Sequence, residues 1–202
     1  ICFEVFDQGN TPGLRSGRIV RLFEDREGRL WIGTANAGIA VLDQGGRITP
    51  TGLGQGGQLV GACEDTAGGV WLYNSDGQIW QVRGAETNRF QLAAEQFSVD
   101  RVSSGRAIAV EPGGTVWVGA DLRLAAFRPG VDSRGPVPRE ETLLASRLDA
   151  LLASRQGGVW RLAGGRIQRW KDGRLQQDLA AYPWRGAPVS AVCEDAEGNL
   201  VV

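Results

Sequence analysis

Tyr182, Trp184 and Arg185 fall within the five residues YPWRG and combine two aromatic faces with a guanidinium. Such a set can stack on a sugar or another ring while fixing a polar group. It serves equally well as a connector anchored by its apolar side chains, and the sequence leaves both readings open. Five acids, Asp76, Glu86, Asp132, Glu140 and Glu141, stand in segments that read as loops. Glycoside chemistry would need two of them roughly 5 Å or 7 to 9 Å apart. Nothing in their spacing brings two together, and solvated loop acids are the plain reading.

The chain has no His, so Ser-His-Asp, Cys-His and His-metal arrangements are excluded together. Cys2, Cys63 and Cys193 form no C-x-x-C spacing and read as small apolar fillers. Lys171 is the single lysine, and the arginines are scattered rather than clustered. GLGQGGQ at 52–58 lacks the spacing of a phosphate loop and reads as a turn. No catalytic residue, metal ligand or cofactor is expected. The alternative is a polysaccharide lyase or hydrolase that would work with carboxylates and Tyr182 or Tyr73.

With 202 residues, 42% of them hydrophobic, the chain can bury a real core. A formal net charge of -1 removes the general attraction to nucleic acid. No apolar run reaches the roughly 18 residues of a membrane span, and ICFEVFDQGN lacks the features of a signal peptide. Neither nucleic acid nor direct membrane contact is expected.

The elements that would carry these residues come from an internal repeat. Trp31, Trp71, Trp117 and Trp160 are 40, 46 and 43 residues apart, and Val201 follows after 41 more. Three residues before each stands a glycine: Gly28, Gly68, Gly114, Gly157 and Gly198. Each copy opens on an apolar run, IVRLF, LVGAC or LDALLA, which reads as a buried strand. Asp-x-x-Gly follows in three copies, and an Asp side chain with a positive-φ Gly closes a short hairpin loop. The Trp segment is the second strand; GIAVL, QIWQV, RLAAF and RIQRW are third strands, and RIT and RLQ mark fourth ones.

A four-stranded antiparallel unit recurring every 40 to 46 residues is the blade of a β-propeller. The expected fold is all-β, a single partial propeller over 1–202: the end of a preceding blade in 1–18, with CFEVFD as its outer strand, blades at 19–58, 59–104, 105–147 and 148–188, and the start of another at 189–202. The Leu143–Leu152 stretch could also line one face of a helix, but the register favours a strand. The four tryptophans are expected between neighbouring sheets. Ligand loops are expected where the repeat breaks, at 73–78, 83–90, 127–141 and 180–188. The incomplete first and last units suggest a piece of a longer protein.

LFEDREGRLWIGTANAGIAVLD at 22–43 resembles the two-component regulator propeller repeat, whose hallmark is Asp-x-x-Gly followed by a Leu-Trp-Ile/Val-Gly-Thr strand. Tyr73 and Asn74, Glu111 and Pro112, and Ser154 and Arg161 depart from that pattern in later copies. The resemblance implies a ligand-sensing part of a bacterial signalling protein, outside the cytoplasmic membrane, joined to further blades and an output module such as a histidine kinase. It also implies a carbohydrate or other small-molecule ligand, for which Tyr182, Trp184 and Arg185 are the candidate residues. A homodimer of the parent and a pure protein-interaction scaffold are the further options.

Overall fold

The computed structural model describes residues 5–91, 106–120, 122–129, 140–143, 147–171, 174–184, 189 and 191–202. They form strands and turns and no helix. Four antiparallel sheets follow the sequence repeat, each with its strands side by side in chain order. The first holds β1 (Ile19–Glu24), β2 (Leu30–Thr34), β3 (Ile39–Leu42) and β4 (Ile48–Pro50). The second holds β5 (Leu59–Glu64), β6 (Val70–Asn74), β7 (Gln78–Arg83) and β8 (Glu86–Gln91). The third holds β9 (Arg106–Val110), β10 (Val116–Ala120), β11 (Arg123–Phe127) and β12 (Glu140–Leu143). The fourth holds β13 (Leu148–Ala153), β14 (Val159–Ala163), β15 (Arg166–Lys171) and β16 (Arg174–Ala181). A two-stranded piece, β17 (Cys193–Glu194) with β18 (Leu200–Val201), follows. Leu148–Ala153 is thus strand, paired along β14, and residues 144–146 lie outside the described residues.

The turn between the first two strands of each unit explains the invariant glycine spacing. Gly28, Gly68, Gly114, Gly157 and Gly198 have φ of 70°, 80°, 81°, 85° and 87°, a region that a side chain disfavours. In the first sheet the Asp25 side chain accepts the amides of Glu27 and Arg29, while its carbonyl accepts Gly28 N–H. Asp65 repeats this with Ala67, Gly69 and Gly68. Where Glu111 and Ser154 replace Asp, the carbonyl bonds from Gly114 and Gly157 persist, so the departures keep the hairpin.

The sheets stack through their first strands: β1 lies against β5, β5 against β9 and β9 against β13. That is the arrangement of blades around a common axis. Between the first and second sheets Trp31 and Ile39 meet Leu59, Val70, Leu72 and Trp80. Trp71 then faces the third sheet, and Trp117 the fourth. Trp160 packs with Tyr182, Trp184 and Leu200. All four indoles are buried, and burying an aromatic of this size contributes roughly 2 to 3 kcal/mol.

Two expectations change. Val5–Asp7 carry no strand, and the rest of CFEVFD lies outside the described residues. Asp7 instead accepts the amides of Gly9 and Asn10 in a turn, and Leu14 beyond it is buried on Ile32 and Ala40 of the first sheet. The segment at 83–90 is also less loop-like than expected, because Glu86–Gln91 is the fourth strand of its sheet; of 127–141, residues 130–139 lie outside the described residues, and Glu140–Leu143 is the fourth strand of the third sheet. Backbone pairing to β7 and β11 imposes strand on these polar sequences, whose side-chain pattern does not announce it.

Candidate functional site

Tyr182 and Trp184 leave the outer edge of the fourth sheet just after β16. Ala180, the only non-glycine residue with positive φ among the described residues, stands two positions earlier at φ 71°. Its amide is held by the Asp178 carboxylate at 2.9 Å, at a bulge in the pairing with β15. The chain is then turned back onto the sheet by Tyr182 N–H donating to the Gly165 carbonyl at 2.7 Å. The two rings stack with centroids 4.8 Å apart and planes inclined by 17°.

The phenol donates to Asp149 Oδ2 at 2.7 Å. Burial, followed by that bond and the carboxylate's charge, holds the Tyr182 hydroxyl well above its usual range, so it stays a neutral donor. Asp149 interrupts the apolar first strand LDALLA, a signal visible in the sequence, but its partner lies 33 residues away. Trp184 lines a cavity of about 640 Å³ together with Gln156, Trp160, Gln177, Leu179 and Asn199. That volume is in the range of small-molecule sites, and its wall mixes indole with amide groups that suit hydroxyls. Between the lining residues Gln177 and Leu179 in sequence, Asp178 is drawn down to about 2, first by Gln168, then by Arg166 and the Ala180 amide. The structure therefore brings Tyr182 and Trp184 together; Arg185 lies outside the described residues.

Asp76 and Glu86 do not form a glycosidase pair. Asp76 sits in the turn before β7 and Glu86 opens β8, beyond the other end of β7, so a strand length of roughly 17 Å separates them. Glu140 and Glu141 are neighbours on β12, and Asp132 lies outside the described residues. Tyr73 is buried in the packing between the second and third sheets. Burial pushes the Cys63 thiol up to about 12, which leaves it no nucleophile near neutrality. Among the described residues no cluster of Cys, Asp and Glu is arranged to hold a metal ion. No helix among them is long and apolar enough to cross a membrane.

Comparison with known proteins agrees with the fold. A crystal structure of a protein of unknown function from Bacteroides caccae superposes with a TM-score of 0.59 at 14% identity, over 90% of this chain and 69% of that one. BBS1N, solved in complex with ARL6DN, superposes with a TM-score of 0.54 at 15% identity, over 86% of this chain and 56% of that one. The chain thus spans little more than half the length of the second. At such identities the likeness is one of fold. A search of curated proteins returns no match. The family model described as two component regulator propeller matches residues 13–36, the span that contains the Asp25 turn and Trp31. Residues 13–36 of this partial all-β propeller therefore match the repeat described as two component regulator propeller.

Proposed function

We propose that the chain is the ligand-sensing propeller segment of a bacterial two-component signalling protein, and that it binds a saccharide-like ligand without transforming it. The observation that carries this reading is the stacked Tyr182–Trp184 pair at a cavity of about 640 Å³ in a chain bearing the regulator repeat. An indole beside amide side chains offers the apolar face and the hydrogen bonds that a pyranose requires. The lack of His and the separation of Asp76 from Glu86 support binding without catalysis. By family resemblance the segment lies outside the cytoplasmic membrane. Further blades and an output module of the parent protein then receive the signal.

Titration with a panel of neutral and acidic oligosaccharides, followed by tryptophan fluorescence and thermal shift, tests the reading. A saturable response in the wild type that falls at least tenfold in Trp184→Ala supports it. A panel with no binder, or binding indifferent to Trp184→Ala and Tyr182→Ala, would overturn this site.

A further inference from the structure

A carboxylate joins the hairpin turns of neighbouring sheets at two of the four junctions; of the two that lack it, only one faces a turn with an N–H at the receiving position. At the first junction Glu64, the last residue of β5, accepts the amide of Arg26 at 2.9 Å, in the turn of the preceding sheet. Glu194 at the end of β17 does the same for Arg155, at 2.6 Å. Both acids occupy one register position, since Glu64 pairs with Val70 and Glu194 with Leu200. The corresponding residue of the fourth sheet is Ala153, and the turn it faces has Pro112 at the receiving position, which has no N–H to satisfy.

The junction between the second and third sheets breaks this correspondence. The receiving residue, Thr66, has an N–H, but the acid's position is taken by Val110, which pairs with Val116. Thr66 is exposed, and its N–H meets no acceptor among the described residues, which leaves it to solvent or to a ligand. A cavity of about 400 Å³ occupies this junction, lined by Thr66, Gln81, Arg83, Asn88 and Val110 around the Asp65 turn. Asp65 is itself fully engaged: Trp71 Nε1, Gln81 Nε2 and Arg83 Nη2 donate to Oδ2, and two amides to Oδ1. Arg83 makes a single bond to it at 3.2 Å and keeps its other donors, on a side chain that is half exposed. At the first junction a second carboxylate beside the ionised Asp25 is balanced by Arg26, whose Nε lies 3.2 Å from Glu64, and at this junction that part would fall to Arg83.

We infer that this cavity is a binding site for a carboxylate-bearing small molecule, whose carboxylate takes the position that Glu64 and Glu194 fill elsewhere. It would accept Thr66 N–H and Arg83, with Asn88 at the wall for a neighbouring hydroxyl or amide. The site is separate from the Tyr182–Trp184 pair and does not depend on that pair binding a sugar.

The test is an amide-resolved NMR titration of the protein with acetate, glucuronate and neutral methyl glucoside. Saturable shifts of Thr66 N–H with both carboxylates, and none with methyl glucoside, are expected. Equal affinities would mark a site for the bare carboxylate, and a tighter glucuronate a site for an acidic sugar. Arg83→Gln should weaken binding about tenfold. Thr66→Pro copies Pro112, so it should keep the turn yet lose binding by calorimetry. Val110→Glu should supply the missing acid, shift the Thr66 amide without ligand and abolish the response. No saturable Thr66 shift with either carboxylate, or undiminished affinity in both Arg83→Gln and Thr66→Pro, would overturn the site.

Discussion

The side chains that recur at fixed positions in this chain are bound to one another in a defined order. Trp31 Nε1 donates to Asp25 at 2.8 Å and Trp71 Nε1 to Asp65 at 3.0 Å, so in the first two sheets the turn residue and the packing residue form one device, whereas Trp160 Nε1 donates to Glu194 of β17 at 3.1 Å. Burial alone would raise both carboxyls, but for Asp25 the bonds from Trp31 and Arg29, and for Asp65 those from Trp71, Gly69 and Gln81, outweigh it. Both therefore titrate below the ordinary 3.8. A group whose folded pKa is depressed contributes stability above its unfolded pKa and loses it as pH falls through the folded value. The urea midpoint should accordingly hold from neutrality down to about pH 4 and fall below it, and Asp65→Asn should flatten that acid limb. The same variant should cost about 1 to 3 kcal/mol at pH 7, because it weakens hydrogen bonds to a buried charged acceptor. Gly114→Ala isolates the backbone part of the device, since a methyl there would meet nothing within 4 Å. It should cost about 1 kcal/mol by equilibrium unfolding, from positive φ alone.

At the scale of the element, the spacing of glycines and tryptophans made the first three strands of every sheet legible, because turn chemistry and a buried aromatic both leave unmistakable residues. The fourth strands of the second and third sheets were not legible. Glu86–Gln91 reads ETNRFQ and is mostly exposed, so only its pairing to β7 makes it a strand. The stacked pair was legible as residue types, but the Asp149 partner of Tyr182 was not, because that contact depends on how β16 returns to β13. Close packing between sheets also uses small residues in a way that the repeat partly conceals. A methyl on Gly33 would lie 2.5 Å from Leu59 Cβ, so the second sheet approaches the first over that glycine. In the second sheet Tyr73 occupies the equivalent position, and Gly61, its cross-strand partner, provides the space for Ile108. Gly33→Ala should therefore cost about 1 to 3 kcal/mol. Combined with Leu59→Ala it should cost less than the sum of the two singles, a coupling that a double-mutant cycle by urea unfolding measures directly.

For the molecule as a whole, each sheet contacts its sequence neighbours, so stability is distributed as a series of junctions rather than gathered in one centre. The middle of the series is the best covered: every residue of β6 and of β10 is buried, and Trp71, Phe90 and Phe127 contact one another across that junction. The first flank is thinner, since the inner strand β1 is almost wholly exposed where the inner strand β9 is largely buried, and on the last flank the two-stranded β17–β18 is only partly covered. Cooperative opening should follow this gradient, because a sheet covered on one face loses fewer apolar contacts when it detaches than one covered on two. Native-state hydrogen exchange should find the amides of β6 and β10 exchanging only through global unfolding, while β1 and β16–β18 open at lower free energy. Glu64→Ala, which removes the carboxylate joining the first sheet to the second, should lower the opening free energy of β1 and β2 and leave that of β10 and β11 unchanged. Uniform protection along the chain, or an equal effect of Glu64→Ala on every sheet, would show that the sheets unfold as one unit and that the junction carboxylates do not set where the molecule first comes apart.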